Sequence, residues 1–402
     1  MKMKENNIPV VTITRIGKRW SYFQLFILGL YDLERQKKIH LRFRCERLFR
    51  LSMLFPENHL IGGILGKLNY SFQKDSYCME GTVKYKGKVN RFCLDSADAP
   101  YIFDSKLLDE MDVYFKMQCP KDIDPVRGFN LCGDIWIPYI SMEHEDNNLT
   151  KLTDRGARKP LRNLSANLHK VKPLCVGFRR LARLNSYSAL KGGYENYRKD
   201  ALGSPTKKLM CYFGNALGPK PETNVTNPDW DWEADIMGYY QAQLNHPNEK
   251  RSKAAKLIAA LGEGYDARVI SEVHADTKKA IKHEELIVPI EDFCRHISQF
   301  EYNLNISGYR MSIPNRFMES FIVGTAIVTD KLAVKWYLPF DEEVIETAEM
   351  GYLANEKVDW KKVSEDLRTL PSVDKNKILR LYDEKWTPVK ITEYMVKTVL
   401  AE

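Results

Sequence analysis

The feature that most constrains the fold is a rhythm that occurs twice: short β-branched or apolar runs alternate with stretches of helical period. Val10-Val11-Thr12-Ile13-Thr14 reads as a strand. A polar loop, Arg15 to Arg19, follows and contains Gly17. Ser21 stands where it can cap a helix whose apolar body is Phe23, Leu25, Phe26, Leu28 and Leu30. His40 to Phe43 predicts a second strand and Arg91 to Leu94 another, ending at Asp95. Ser105 to Met111 predicts a short helix, Asp112 to Lys116 a strand, and Ile135 to Ile140 a last extended piece. The polar stretch Glu143 to Lys159 reads as a linker or loop.

The rhythm then restarts. Lys207 to Phe213 predicts a strand that feeds the loop Gly214-Asn215-Ala216-Leu217-Gly218-Pro219. Asn227 to Asn245, rich in Trp, Tyr and acid, suggests an extra helix. Glu249 to Leu261 is a helix with Ala254, Ala255, Leu257, Ile258 and Leu261 on one face, ended by Gly262 and Gly264. Ala267 to Ile270 is a strand, Leu286 to Phe293 a loop and helix, and Phe300 to Ile306 a strand. Asn315 to Val323 is a helix stopped by Gly324, and Ala326 to Thr329 is a strand with Asp330 just past it. Glu356 to Leu400 is mostly helical, with breaks at Pro371 and Pro388. Such alternation predicts an α/β protein whose ligands lie outside the carboxyl ends of its strands. At 402 residues the chain exceeds one ordinary core. The expected division is two Rossmann-like domains, 1–160 and 161–380, with 381–402 as a terminal helix.

Composition narrows the class of partner. Lys and Arg number 61 against 53 Asp and Glu, a net charge of +8 that suits an anionic ligand or membrane surface and equally a solvated exterior. The eight cysteines form no C-x-x-C pair, and several lie in apolar runs, so buried free thiols in a reducing compartment are expected. Neither a secretory signal nor a run of about 18 apolar residues is visible, which points to the cytoplasm, with peripheral contact at a membrane's inner face as an option. The basic run Arg35 to Arg50, interleaved with Leu41, Phe43, Leu48 and Phe49, could dock on anionic lipid or be a solvated face. No nucleic-acid motif accompanies it. Asp229-Trp230-Asp231 matches a short metal-binding D-x-D pattern, but it follows Asn227-Pro228 rather than a strand, and no metal is expected.

The segment Phe300 to Asp330 carries the functional reading. A strand delivers a loop holding Arg310 and Ser312; Asn315 and Arg316 open a helix, and Glu319 falls one turn in. Arginines at a helix start favour a diphosphate, and a restrained carboxylate orients sugar hydroxyls. The same residue types also occur as surface ion-pair networks. Arg251 opens the helix after the Gly214-Asn215 loop, with Lys253 nearby.

Ser312, Arg316, Glu319, Gly324, Ile327-Val328 and Asp330, with Gly214-Asn215 and the Arg251 helix, resemble the donor-binding segment of GT-B glycosyltransferases. The similarity is to the exostosin-like group and more faintly to α-fucosyltransferases, over roughly Lys207 to Phe340. The resemblance implies two Rossmann-like domains around a cleft, a nucleotide-sugar donor on the second, and metal-independent transfer of a hexosyl or fucosyl group to a saccharide or lipid-linked acceptor in bacterial-type surface polysaccharide synthesis. It implies that Glu319 contacts the donor's ribose or sugar, that Arg316 or Arg310 contacts its phosphates, and that a terminal helix crosses back to the first domain. If transfer inverts the anomeric centre, a base is needed on the first domain, and Asp95 and Asp98 are the candidates. Two rivals remain: a sugar-nucleotide epimerase on the same scaffold, and a non-catalytic carbohydrate- or nucleotide-binding protein.

Overall fold

The computed structural model describes residues 8–17, 20–55, 60–61, 64, 77–98, 105–124, 128–132, 135–137, 165–203, 208–215, 249–270, 290–308, 311–351 and 357–402. The expected linker 143–159, the extra helix 227–245 with Asp229 and Asp231, and Arg310 lie outside these residues.

The first half builds a six-stranded sheet. Its strands in chain order are β1 Val10–Ile16, β2 His40–Phe43, β3 Cys78–Tyr85, β4 Lys88–Asp95, β5 Val113–Lys116 and, after four short strands, β10 Val171–Pro173. The spatial order is β10-β5-β4-β3-β1-β2. Neighbours pair parallel except around β3, which runs antiparallel to both β1 and β4. The first sheet is therefore mixed, where a parallel Rossmann-like sheet was expected. The unanticipated element is the β3–β4 hairpin. Lys86 and Gly87 turn it with φ of 47° and 84°, the two positive values that match the twist of flanking strands. β10 carries this sheet beyond residue 160, the expected boundary, by pairing with β5.

The helix after β1 is α1, Gln24–Arg35, entered through the 3-10 turn Trp20–Phe23. Its N-cap is Phe23, without a side-chain cap, so Ser21 does not have the capping role its position suggested. Further helices are α2 Arg47–Ser52, α3 Ser105–Glu110 and α4 Tyr187–Gly203.

The second half forms a five-stranded sheet that is parallel throughout. Its strands are β11 Lys208–Asn215, β12 Tyr265–Ile270, β13 Phe300–Asn305, β14 Ala326–Thr329 and β16 Val344–Glu346, ordered β12-β11-β13-β14-β16. All four residues of β14 are buried, as a strand covered on both faces requires. Residues 249–260 are the helix α5. After it come α6 Ile290–Ile297, α7 Arg316–Phe321, α8 Trp360–Arg368, α9 Lys375–Lys385 and α10 Pro388–Ala401. The strand order reverses between β11 and β13, and their carboxyl ends are the switch point at which a ligand of such a sheet is expected.

The halves share one continuous apolar core. The short strands β6 Cys119–Pro120, β7 Ile123–Asp124, β8 Gly128–Cys132 and β9 Ile135–Ile137 follow β5, and β6 pairs antiparallel with β15, Val334–Lys335, of the second half. The C-terminal helix α10 lies on α1, β3 and β4. Gly29 of α1 permits the close approach, since a Cβ there would meet Pro388 O at 2.1 Å. Asn90 Nδ2 donates to Val399 O at 2.6 Å and Tyr394 Oη donates to Pro173 O at 3.1 Å, fixing both ends of the contact. Among the described residues, seven cysteines are free and buried, and no helix is long and apolar enough to cross a membrane.

Candidate functional site

β11, β13 and β14 bring their carboxyl ends side by side, and the chain leaving each supplies polar groups. Asp330 stands at the exit of β14, 2% exposed. Its Oδ1 accepts from Ser307 N (3.1 Å), Ser307 Oγ (2.8 Å) and Thr329 Oγ1 (3.1 Å). Its Oδ2 accepts from Lys250 Nζ at 3.1 Å, and that lysine is equally buried. The pair ties the first turn of α5 to the exit of β14, and Ser307 joins the loop leaving β13 to the same carboxylate. Arg251, the next residue along α5, is 6% exposed and donates from Nη2 to Ser307 O at 3.1 Å. Lys253, two residues on, instead turns to solvent and pairs with Glu249 at 2.6 Å.

The loop after β13 folds back on itself. Gly308 N donates to Ser312 O at 2.9 Å, and Ser312 is 2% exposed. Met311 is buried with φ of 56°, a left-handed conformation in which a non-glycine residue is strained. Two contacts from the first half hold this shape. Gln118 exchanges hydrogen bonds with the backbone of Ile313, at 2.9 Å from Ile313 N and 2.8 Å to Ile313 O. Asn315, at the N-cap of α7, sends its side chain to Gly177 O at 2.6 Å instead of capping the helix.

Arg316 opens α7 and donates from Nη1 to Phe213 O, near the end of β11, at 2.8 Å. Burial is the main cause that pushes its pKa down to about 10, and the charges of Arg251 and Arg179 add to it against Tyr212 and Glu319. Three guanidinium groups therefore share one region. Glu319 is 1% exposed, and its partner is Arg179: Nε donates to Oε1 at 3.1 Å and Nη2 to Oε2 at 3.2 Å, a two-pronged fork. Arg179 also sits 5.0 Å over the Phe293 ring. Its pKa is raised, chiefly by the Glu319 charge. The structure thus gives Glu319 a positioning role toward Arg179, with both carboxylate oxygens already engaged.

Tyr212, on β11, points its hydroxyl into this cluster. Its pKa is pushed up to about 12 by burial, while Arg251 and Arg316 pull it down. The hydroxyl is fully buried and has no hydrogen-bond partner among the described residues, a condition that native proteins rarely leave unfilled. Gly214 makes room for it, since a Cβ there would meet Tyr212 Oη at 2.6 Å. Asn215 ends β11 at the rim.

Gly214, Asn215, Arg251, Ser312, Asn315, Arg316 and Glu319 therefore gather around the switch point, as the sequence placed them. Arg179, Lys250 and Tyr212 join them unannounced. Arg179 lies in the stretch between β10 and α4, and nothing in Gly177-Phe178-Arg179-Arg180 says that it faces Glu319. Lys250 had a weak signal, its place beside Arg251 at the start of an amphipathic helix.

The two aspartates proposed as bases part company. Asp95 ends β4 and is 1% exposed. Its Oδ2 accepts from Lys116 Nζ and Tyr114 Oη, both at 2.8 Å, and its Oδ1 accepts from Ala97 N at 2.7 Å. Burial, with the Asp95 charge next, raises the Tyr114 pKa well above its usual value. A carboxylate so enclosed acts first as the counter-ion of a buried lysine. Asp98, just beyond, is exposed. No group of His, Cys, Asp and Glu suited to a metal occurs among the described residues.

No protein-family model, curated protein or solved structure matches this chain.

Proposed function

We propose that this chain is a glycosyltransferase of GT-B type that moves a sugar from a nucleotide-sugar donor to a saccharide or lipid-linked acceptor. The observation that carries the reading is the gathering of Arg179 and Arg251 around Arg316, with the buried hydroxyl of Tyr212 beside Arg251 and Arg316, at the switch point of a parallel sheet. Burial disfavours the charge of Arg316, and so do the charges of Arg251 and Arg179, which makes a site that an anion relieves, and a diphosphate carries the charge to do so. The arginines would hold the donor's diphosphate and stabilise it as a leaving group when the sugar–phosphate bond breaks. Glu319 would keep Arg179 aimed. The acceptor would lie at the carboxyl edge of the first sheet, where Asp98 is the exposed carboxylate near the end of β4 and the candidate to take the acceptor's proton in an inverting reaction.

The test is a melting-temperature screen with UDP, GDP, CMP, TDP and their sugars on wild type and Arg316→Met. A ligand at about 100 times its dissociation constant adds roughly 2.7 kcal/mol to stability. The expected result is a shift with one nucleotide family that Arg316→Met abolishes, followed by sugar transfer from that donor. No shift with any nucleotide removes the donor-site assignment.

A further inference from the structure

β2 is an edge strand of the first sheet. Its Leu41 and Phe43 pack against the core, while His40 and Arg42 face out. Exposed Arg44 then leads into α2. The inward face of this helix is set by Phe49, 0% exposed, and by Ser52, whose Oγ donates to Phe49 O at 2.6 Å and accepts from Asn185 Nδ2 at 3.1 Å. With that face fixed, Arg47, Arg50 and Leu51 fall at i, i+3 and i+4 along the outward stripe of α2, and Leu54 follows in the turn just past its end. Leu51 is 40% and Leu54 73% exposed, and a little further along the chain Leu60 is 81%, Ile61 46% and Ile64 51% exposed. Eight large hydrophobic side chains are exposed among the described residues, and these are five of them. The clustering separates this patch from the scattered apolar residues any surface carries.

Charge selects the occupant. Arg44, Arg47 and Arg50 are exposed on or beside α2 and Arg42 on β2; Lys37 and Lys38, which precede β2, are exposed at its other end, and Lys38 pairs with Glu393. Glu46, within the same run, is half-buried. A second copy meeting this face with the same face would set arginines against arginines. A nucleic acid would want stacking rings, yet Phe43 and Phe49 are turned toward the core. Leucines and isoleucines within a basic border suit an anionic bilayer, where the apolar side chains enter the interface and the cations meet headgroups.

We infer that the outward face of α2, together with Leu60, Ile61 and Ile64, docks this protein on an anionic lipid surface. The patch follows the carboxyl end of β2, and so lies on the sheet edge to which the acceptor was assigned. The link to a lipid-borne acceptor rests on the glycosyltransferase reading; the docking does not.

The experiment is co-sedimentation with phosphatidylglycerol-containing vesicles and with pure phosphatidylcholine vesicles. Wild type, Arg47→Gln/Arg50→Gln and Leu54→Ser/Leu60→Ser are compared, with melting curves confirming that each is folded. Wild type is expected to pellet with the anionic vesicles only. At about 1 kcal/mol per basic residue near the surface, each arginine is worth about fivefold, so the double glutamine variant should lose roughly 25-fold in partitioning. The double serine variant should lose at least about tenfold. Equal binding to neutral vesicles, or indifference to both variants, overturns the inference. So does a concentration-dependent dimer, or oligonucleotide binding, that the same variants abolish while vesicles are ignored. Loss of vesicle binding with a nucleotide melting shift retained removes the docking alone. Vesicle binding with no nucleotide shift removes the glycosyltransferase reading and leaves the docking standing.

Discussion

Replacing Asp95 with asparagine separates a counter-ion from a catalytic base. Lys116 is 0% and Asp95 2% exposed at the side chain, and they meet at 2.8 Å. Asparagine retains an oxygen for the Ala97 amide or the Tyr114 hydroxyl, but it removes the only negative charge paired with Lys116 in this contact. Breaking a buried pair by removing one partner costs about 3–5 kcal/mol, because the remaining charge is left in a poor solvent. At about 2–4 °C per kcal/mol for a folding unit of this size, Asp95→Asn should lower the melting temperature by roughly 6–20 °C. Asp95→Leu/Lys116→Met removes both charges and should recover to within about 2 kcal/mol of wild type, since apolar replacement of a whole buried pair is often neutral. Scanning calorimetry on the three proteins reads both effects. An Asp95→Asn variant that melts within about 1 °C of wild type refutes the counter-ion assignment, and returns Asp95 to the list of bases.

Other expectations follow from the same geometry. Arg316→Met in the ligand-free protein should melt at or slightly above the wild-type temperature: the lost hydrogen bond to Phe213 O is offset by removal of a buried cation beside two others, and a drop of more than about 2 kcal/mol argues against mutual repulsion. The His296 pKa is lowered from 6.5, first by burial and despite its hydrogen bond to Asp266. The unfolded chain therefore binds the proton more readily, so stability is lost as pH falls below 6.5. His296→Phe, set between Phe213 and Phe300, should flatten that slope in melting curves taken from about pH 5 to pH 7. Gly29→Ala forces a methyl against Pro388 O and should cost about 1–3 kcal/mol by prising α10 from α1. Equilibrium denaturation measures it, and an unchanged midpoint would show that the helices do not depend on this close approach.

The sequence by itself determined the local elements and their alternation. Val10–Thr14, Phe300–Ile306, Ala326–Thr329 and Glu249–Leu261 all lie where strands and a helix form, within a residue or two, because period and propensity act over a few residues. It also placed Arg251, Arg316 and Glu319 in one neighbourhood, since each follows a strand of one parallel sheet and such strands end on a common edge. Tertiary structure alone decided the rest. The β3–β4 hairpin turns on Lys86-Gly87, which lacks the Asn-Gly or Asp-Gly signature that usually announces such a turn. Whether Asp95 is open or enclosed depended on Lys116 and Tyr114 reaching it from the neighbouring strand. Arg179 reaches Glu319 across 140 positions of chain, a distance over which no periodicity carries information. Exposure of Leu51 and Leu54 was settled by which face of α2 Phe49 buries, and that choice belongs to the core against which the helix packs.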